Sequence, residues 1–82
     1  MIAVSVKLFA TIRDIIEADE LKISLPDDSP VSSILEELIH KYPAFTPWRN
    51  YVRLAVNYEY VQLSHILHDN DEVAVIPPVS GG

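Results

Sequence analysis

Residues 2–10 read IAVSVKLFA, and this alternation of side chains organises the rest of the chain. One side of the extended backbone carries the aliphatic residues Ile2, Val4, Val6 and Leu8. Because successive side chains of a strand point to opposite faces, a period of two indicates a strand that is buried on one side. The sequence therefore predicts a first strand with these four side chains in the core.

A short helix and a second strand are predicted next. In residues 11–18, TIRDIIEA, Thr11 is the expected N-cap, with Asp14 three residues later in an approximate capping box. Residues 20–25, ELKISL, alternate again, which predicts a strand paired antiparallel with the first. The following PDDSP has the composition of a turn.

The main helix is predicted after this turn. Ser29 is the expected N-cap, and Pro30 fits the first helical position because its missing N–H would have no partner there. Apolar residues recur at the spacing of one helical face: Val31, Ile34, Leu35, Leu38, Ile39 and Tyr42. Pro43 is expected to end the helix. An irregular connection follows, in which Phe45 and Trp48 are expected to close one end of the core.

Three further strands are predicted in the second half of the chain. Residues 51–57, YVRLAVN, indicate a third strand, Asn57 opens a tight turn, and a very short strand is expected near Val61. Residues 72–76, EVAVI, indicate the last strand, which is expected to run parallel to the first at the sheet centre. The predicted fold class is α+β, a mixed sheet of about five strands packed on one main helix.

Composition restricts the class of protein. A length of 82 residues suits one domain, which we expect at residues 1–76, followed by an extended tail at residues 77–82. The net charge of −6, with six Lys and Arg residues, argues against a nucleic-acid partner. We expect no membrane partner, because no apolar run approaches a spanning length. The lack of cysteine fits a cytoplasmic location.

Side chains that could perform chemistry are few. His65, His68 and Asp69 lie close together in sequence, and Ser64 adjoins them. Neighbours on one loop rarely reach the geometry of a metal site or a catalytic triad. We therefore expect no metal site and no catalysis by the side chains of this chain alone.

The last six residues, PPVSGG, carry a more specific signal. Pro77 and Pro78 lack the N–H groups that would extend a sheet, so the chain is expected to leave the sheet in a stiff, extended form. Gly81 and Gly82 have no Cβ and suit a narrow passage in another protein. Their expected role is to present the carboxylate of Gly82 to a partner that activates it with ATP.

Three segments resemble the MoaD family, the small subunits of molybdopterin synthase. They are VKLFATIRD at residues 6–14, LAVNYEYV at residues 54–61 and DEVAVIPPVSGG at residues 71–82. The similarity extends over the whole chain and implies the ubiquitin-like β-grasp fold and the function of a sulfur carrier. Two positions differ from the usual family pattern: Asn70 stands in place of a turn glycine, and Ile76 in place of an aromatic residue.

The resemblance also implies the chemistry and the partners. An E1-like enzyme similar to MoeB would adenylate the Gly82 carboxylate. A sulfur donor, such as a cysteine desulfurase or a rhodanese-like protein, would then provide the sulfur of a thiocarboxylate. AMP and sulfur would be transient modifications, with no bound cofactor. A large subunit similar to MoaE would receive the tail, and the sulfur would convert cyclic pyranopterin monophosphate into the dithiolene of molybdopterin.

A docking patch for the large subunit is predicted on the sheet face away from the main helix. Its expected members are Phe9, Ala74, Ile76 and Pro77, with partner contacts continuing along Pro78, Val79 and Ser80, whereas Gly81 is assigned with Gly82 to the reactive end. The alternative is that the loop around Trp48 covers this face.

Other functions stay open at this point. Sulfur carriers for thiazole, cysteine or thionucleoside synthesis share the mechanism, although the ThiS-like thiazole carriers are typically shorter and lack the PPVSGG ending. A ubiquitin-like modifier would join its C-terminus to lysine residues of other proteins. A plain interaction domain would have an inert tail.

Overall fold

Five strands form one mixed sheet in the computed structural model, which describes residues 1–78. In chain order the elements are β1 Ile2–Leu8, α1 Ala10–Ile16, β2 Glu20–Leu25, α2 Ser32–Lys41, a 3₁₀ helix Pro43–Trp48, β3 Arg53–Val56, β4 Glu59–Tyr60 and β5 Glu72–Ile76. The order across the sheet is β2-β1-β5-β3-β4. β1 and β5 run parallel, and the other neighbouring pairs run antiparallel. The predicted α+β class and the central parallel pair are confirmed.

The core lies between the sheet and the helices. Val6 of β1 and Val75 of β5 are fully buried, at 0% exposure. α2 contributes Ile34, Leu35 and Leu38 to the same buried cluster. Full burial of one such side chain contributes about 1.5–3 kcal/mol, so this cluster is the main source of stability. Phe45 is also fully buried in it and Trp48 packs against it, as the sequence predicted.

The first helix starts differently from the prediction. α1 begins at Ala10, and the carbonyl of Phe9 accepts hydrogen bonds from the N–H groups of Ile12 at 3.0 Å and Arg13 at 3.3 Å. Thr11 therefore lies inside the first turn, and its expected role as N-cap is wrong.

No helix within residues 1–78 is long and apolar enough to cross a membrane.

The main helix also starts later than predicted. The Ser29 hydroxyl donates to the Pro26 carbonyl at 2.7 Å, which stabilises the preceding turn and leaves α2 without this side chain as a cap. Pro30 forms a bridge with Ile66, Val31 is the N-cap with helical dihedral angles, and α2 itself begins at Ser32. After α2, the chain forms a 3₁₀ helix where an irregular connection was expected.

Side-chain hydrogen bonds join the β3–β4 turn to the start of β5. Asn57 and Tyr58 have positive φ angles of 50° and 73°, typical of a two-residue hairpin turn, as predicted for Asn57. The Asn57 Nδ2 group donates to Asp71 Oδ1 at 3.0 Å, and the Glu72 N–H donates to Asn57 Oδ1 at 3.0 Å. Asp71 Oδ2 accepts the His68 N–H at 2.8 Å. The buried Asp71 carboxylate is thus satisfied and holds this end of the sheet together.

Candidate functional site

The sheet face away from the core carries the alternate side chains of the central strands. Ala74 of β5 lies between Lys7 of β1 and Ala55 of β3. Val73 and Val75, on either side of Ala74, are fully buried. Because side chains alternate along a strand, Ala74 and its cross-strand neighbours point away from the core.

A depression of about 350 Å³ occupies the part of this face formed by β5, β3 and β4. Its apolar walls, called the open-face patch below, are Phe9, Ala55, Tyr58, Tyr60, Ala74 and Ile76. Phe9 is 44% exposed and Tyr60 is 57% exposed. At its border, Lys7 and Glu72 form an ion pair at 3.6 Å. Aromatic residues clustered on one exposed face are typical of a surface that a partner protein covers.

A second depression, of about 390 Å³, lies where β5 ends. It is lined by Phe9, Ala10, Ile76, Pro77 and Pro78. Since Phe9 and Ile76 line both depressions, the apolar surface continues from the open-face patch to the start of the tail. The structure therefore places the predicted residues Phe9, Ala74, Ile76, Pro77 and Pro78 on one continuous surface, and their role in partner binding stays a prediction.

The other predicted tail residues, Val79, Ser80, Gly81 and Gly82, lie outside the described residues. The division into a domain at residues 1–76 and a tail at residues 77–82 likewise stays a prediction. The loop around Trp48 does not cover the open face, because Trp48 lines neither depression and packs against the buried core.

Three members of the open-face patch were missed in the sequence. Ala55 pairs with Ala74 on one side and with Tyr60 on the other, and Tyr58 lies in the turn between β3 and β4. Their position depends on the pairing of β3 with β5, which the alternation within one strand does not specify. The sequence did contain one signal for these residues, the two tyrosines Tyr58 and Tyr60 on either side of Glu59. A strand of two residues buries little surface, so large rings there are expected to be exposed.

Polar groups in the loop before β5 have structural partners. Asp69 Oδ1 accepts the Ala3 N–H at 2.7 Å, and the His65 carbonyl accepts the Val31 N–H at 2.7 Å. Within residues 1–78 there is no group of three or more His, Cys, Asp or Glu side chains placed to hold a metal ion. Asp69 therefore ties this loop to β1.

The sheet order, the central parallel pair and the one main helix define the ubiquitin-like β-grasp class, as the resemblance implied. A putative molybdopterin converting factor subunit 1 from Pyrococcus furiosus has this fold, with a TM-score of 0.87 and 33% identity over 96% of this chain and 100% of that chain. The small archaeal modifier protein 1 (SAMP1) from Methanosarcina acetivorans has a TM-score of 0.84 and 30% identity over 100% of this chain and 98% of that chain.

Within that class, the chain belongs to the ThiS family, whose model matches residues 6–82. The molybdopterin synthase sulfur carrier subunit of Arabidopsis thaliana is 38% identical over 99% of this chain and 84% of that protein. The protein of the same name from Dictyostelium discoideum is 40% identical over 92% of this chain and 91% of its own length. The predicted resemblance to the small subunits of molybdopterin synthase is confirmed.

Proposed function

We propose that this chain is the sulfur carrier subunit of a molybdopterin synthase and that the carboxylate of Gly82 carries the sulfur. The observation that supports this most directly is the apolar surface that leads from the open-face patch to Pro77 and Pro78. A partner seated on this surface would lie beside the tail and could receive it. The names of the two relatives supply the reaction in which such a tail is used.

The proposed chemistry starts from a carboxylate, which is a poor electrophile. An E1-like enzyme transfers AMP from ATP to Gly82 and releases pyrophosphate, so that the acyl carbon gains a good leaving group. A persulfide on a sulfur donor, such as a cysteine desulfurase or a rhodanese-like protein, attacks this carbon and displaces AMP. A thiol then reduces the resulting acyl disulfide and leaves the thiocarboxylate.

The folded part and the tail of the chain are proposed to have different roles in the complex with the large subunit. Pro77 and Pro78 cannot continue the sheet ladder, and six extended residues from Pro77 to Gly82 reach at most about 20 Å. The large subunit holds the folded part on the open-face patch, receives the tail and supplies the catalytic groups. The chain delivers sulfur to cyclic pyranopterin monophosphate, is not an enzyme alone, retains no cofactor and works in the cytoplasm.

A second candidate is a protein modifier. The likeness to small archaeal modifier protein 1 supports this alternative, because that protein has the same fold at 30% identity. In this case Gly82 would form an isopeptide bond with a lysine of a target protein. A sulfur carrier for thiazole, cysteine or thionucleoside synthesis is a further alternative within the ThiS family.

Intact mass after co-expression with the activating enzyme and sulfur donor of the same organism separates these functions. We expect a mass increase equal to the exchange of one oxygen for sulfur. Conversion of cyclic pyranopterin monophosphate to molybdopterin by the modified chain and the large subunit would identify the pathway. Isopeptide adducts would favour the modifier, and an unmodified chain with active partners would refute the proposal.

Extension of the chain by one residue after Gly82 tests the terminal carboxylate itself. We expect sulfur loading and molybdopterin formation to be lost, because the activated carbonyl would no longer be the glycine that fits the partner site. The control is the melting temperature, which should be unchanged because the folded residues are the same. Sulfur transfer by the extended chain would contradict the proposed role of Gly82.

A further inference from the structure

A groove of about 410 Å³ lies beside the open-face patch, at the β3–β4 edge of the sheet. Arg49, Arg53 and Gln62 are among its walls, and no acidic side chain lines it within residues 1–78. Two guanidinium groups in one groove are notable in a chain with a net charge of −6. Tyr60 lines both this groove and the open-face patch, so the two surfaces are continuous.

Arg53 differs from the other cations near these surfaces. Arg49 pairs with Glu36 at 3.0 Å and Lys7 pairs with Glu72 at 3.6 Å, whereas Arg53 has no acidic partner within residues 1–78. Its guanidinium lies over the ring of Tyr60, 4.1 Å from the ring centroid. Stacking on an aromatic face orients the planar guanidinium and leaves the N–H donors at its edge available for a second partner.

We propose that Arg53 binds one Asp or Glu side chain of the protein that receives the tail. The inference rests on the proposed function and concerns the same interface. Arg53 is directly opposite Ile76 in the β3–β5 pair, so the contact would lie beside the last strand residue before the tail. A guanidinium donates two parallel hydrogen bonds to a carboxylate, and an ion pair at the rim of an apolar interface fixes how the two proteins are oriented.

The charge of the chain restricts this partner further. With 12 acidic residues against six Lys and Arg, the chain repels an extended acidic segment at long range. A single carboxylate, surrounded by apolar or basic partner residues, can pair with Arg53 without this long-range repulsion. The proposed ligand is therefore one side chain and not an acidic peptide.

The proposal is tested by measuring the affinity of two variants for the large subunit of the same organism. Arg53→Gln removes the proposed contact, and Lys22→Gln is the control. Lys22 is exposed on the same sheet face, on β2, and has no ion pair within residues 1–78. The two variants remove the same charge, so an effect confined to Arg53→Gln comes from the position and contacts of Arg53. We expect Arg53→Gln to weaken binding about tenfold at low salt and less at high salt. Lys22→Gln should change the affinity less than about twofold.

Substitutions in the partner then identify the carboxylate. Each Asp and Glu on the binding surface of the large subunit is changed to alanine in turn. One of these changes should weaken binding to the wild-type chain but should not weaken binding to Arg53→Gln any further. Equal effects of Arg53→Gln and Lys22→Gln would overturn the inference and leave the proposed function intact. Loss of affinity in Arg53→Gln that no acidic residue of the partner reproduces would also overturn it. Failure of the wild-type chain to bind the large subunit would instead refute the proposed function.

Discussion

The two faces of β5 use similar side chains in opposite ways. Val73 and Val75 point into the core and are fully buried, whereas Ala74 and Ile76, which alternate with them in sequence, line an open depression. All four residues are apolar, so hydrophobicity alone does not distinguish the residues buried in the core from those on the open face. The difference is in the neighbours that the sheet and the helices give to each face.

The open face itself has two unlike halves. On the β2 side it carries the exposed polar residues Glu20, Lys22 and Ser24, which need no partner. On the β4 side it carries aromatic and aliphatic residues around Ala74. A partner is therefore expected on the half nearest to the tail, where burial of apolar surface stabilises a complex.

The largest effect is expected from the two phenylalanines of the chain. Phe45 is fully buried, so Phe45→Ala should lower the free energy of unfolding by about 3–5 kcal/mol through lost burial and a cavity. Phe9 is 44% exposed, so Phe9→Ala should lower it by about 1 kcal/mol or less and should weaken binding of the large subunit. Urea unfolding and titration with the large subunit measure both quantities. Equal losses of stability would contradict the difference between the two faces.

A smaller effect is expected from a charge placed on the open-face patch. Ile76→Asp should weaken binding of the large subunit by about tenfold or more, because it places a charge in the apolar patch and, directly opposite Arg53, competes with the partner for its guanidinium. Ile66→Asp is the matched control, since Ile66 is 41% exposed and lies outside the patch. Unchanged binding by Ile76→Asp would exclude the patch as the docking surface. The melting temperatures of both variants show whether the fold is retained.

The smallest effect is expected from two residues with positive φ angles. Glu17 at 63° and Tyr58 at 73° are in the left-handed region, which disfavours residues that have a Cβ. Glu17→Gly and Tyr58→Gly should each raise the free energy of unfolding by about 0.5–1 kcal/mol, because relief of strain exceeds the added chain entropy. Only Tyr58→Gly should also weaken binding, since its ring lines the patch. If Glu17→Gly and Tyr58→Gly bind the large subunit equally well, Tyr58 is not part of the docking surface.

Much of the fold was predictable because the signals are local. The alternation in residues 2–10 and the helical spacing from Val31 to Tyr42 each specify one element and its buried side, and the structure confirms both. The capping predictions for Thr11 and Ser29 were wrong. At α1 the carbonyl of the preceding Phe9 accepts the first N–H groups. Before α2, Pro30 bridges to Ile66 and the Val31 N–H donates to the His65 carbonyl, which are contacts with a distant segment that a local capping pattern does not contain.

The candidate site was only partly predictable. Phe9, Ala74 and Ile76 could be placed on one face from the direction of their own strands. Tyr60 and Arg53 reach this region only because β3 pairs with β5 and β4 with β3, a register set by contacts between distant segments. The signal for such a register is distributed over the whole core, so one strand does not contain it.

The sequence by itself determined the approximate positions of the strands and the two α-helices, which side of each is apolar, and that a proline pair and two glycines follow the last strand. These properties depend on the direction of each side chain along its own backbone, which repeats every two or 3.6 residues. Only the tertiary structure decided which apolar side chains are covered and which form the open-face patch. Within residues 1–78, α2 covers one face of the sheet and the open-face patch lies on the other, so the same kind of residue is buried at one position and exposed at the next. Local periodicity cannot distinguish the two.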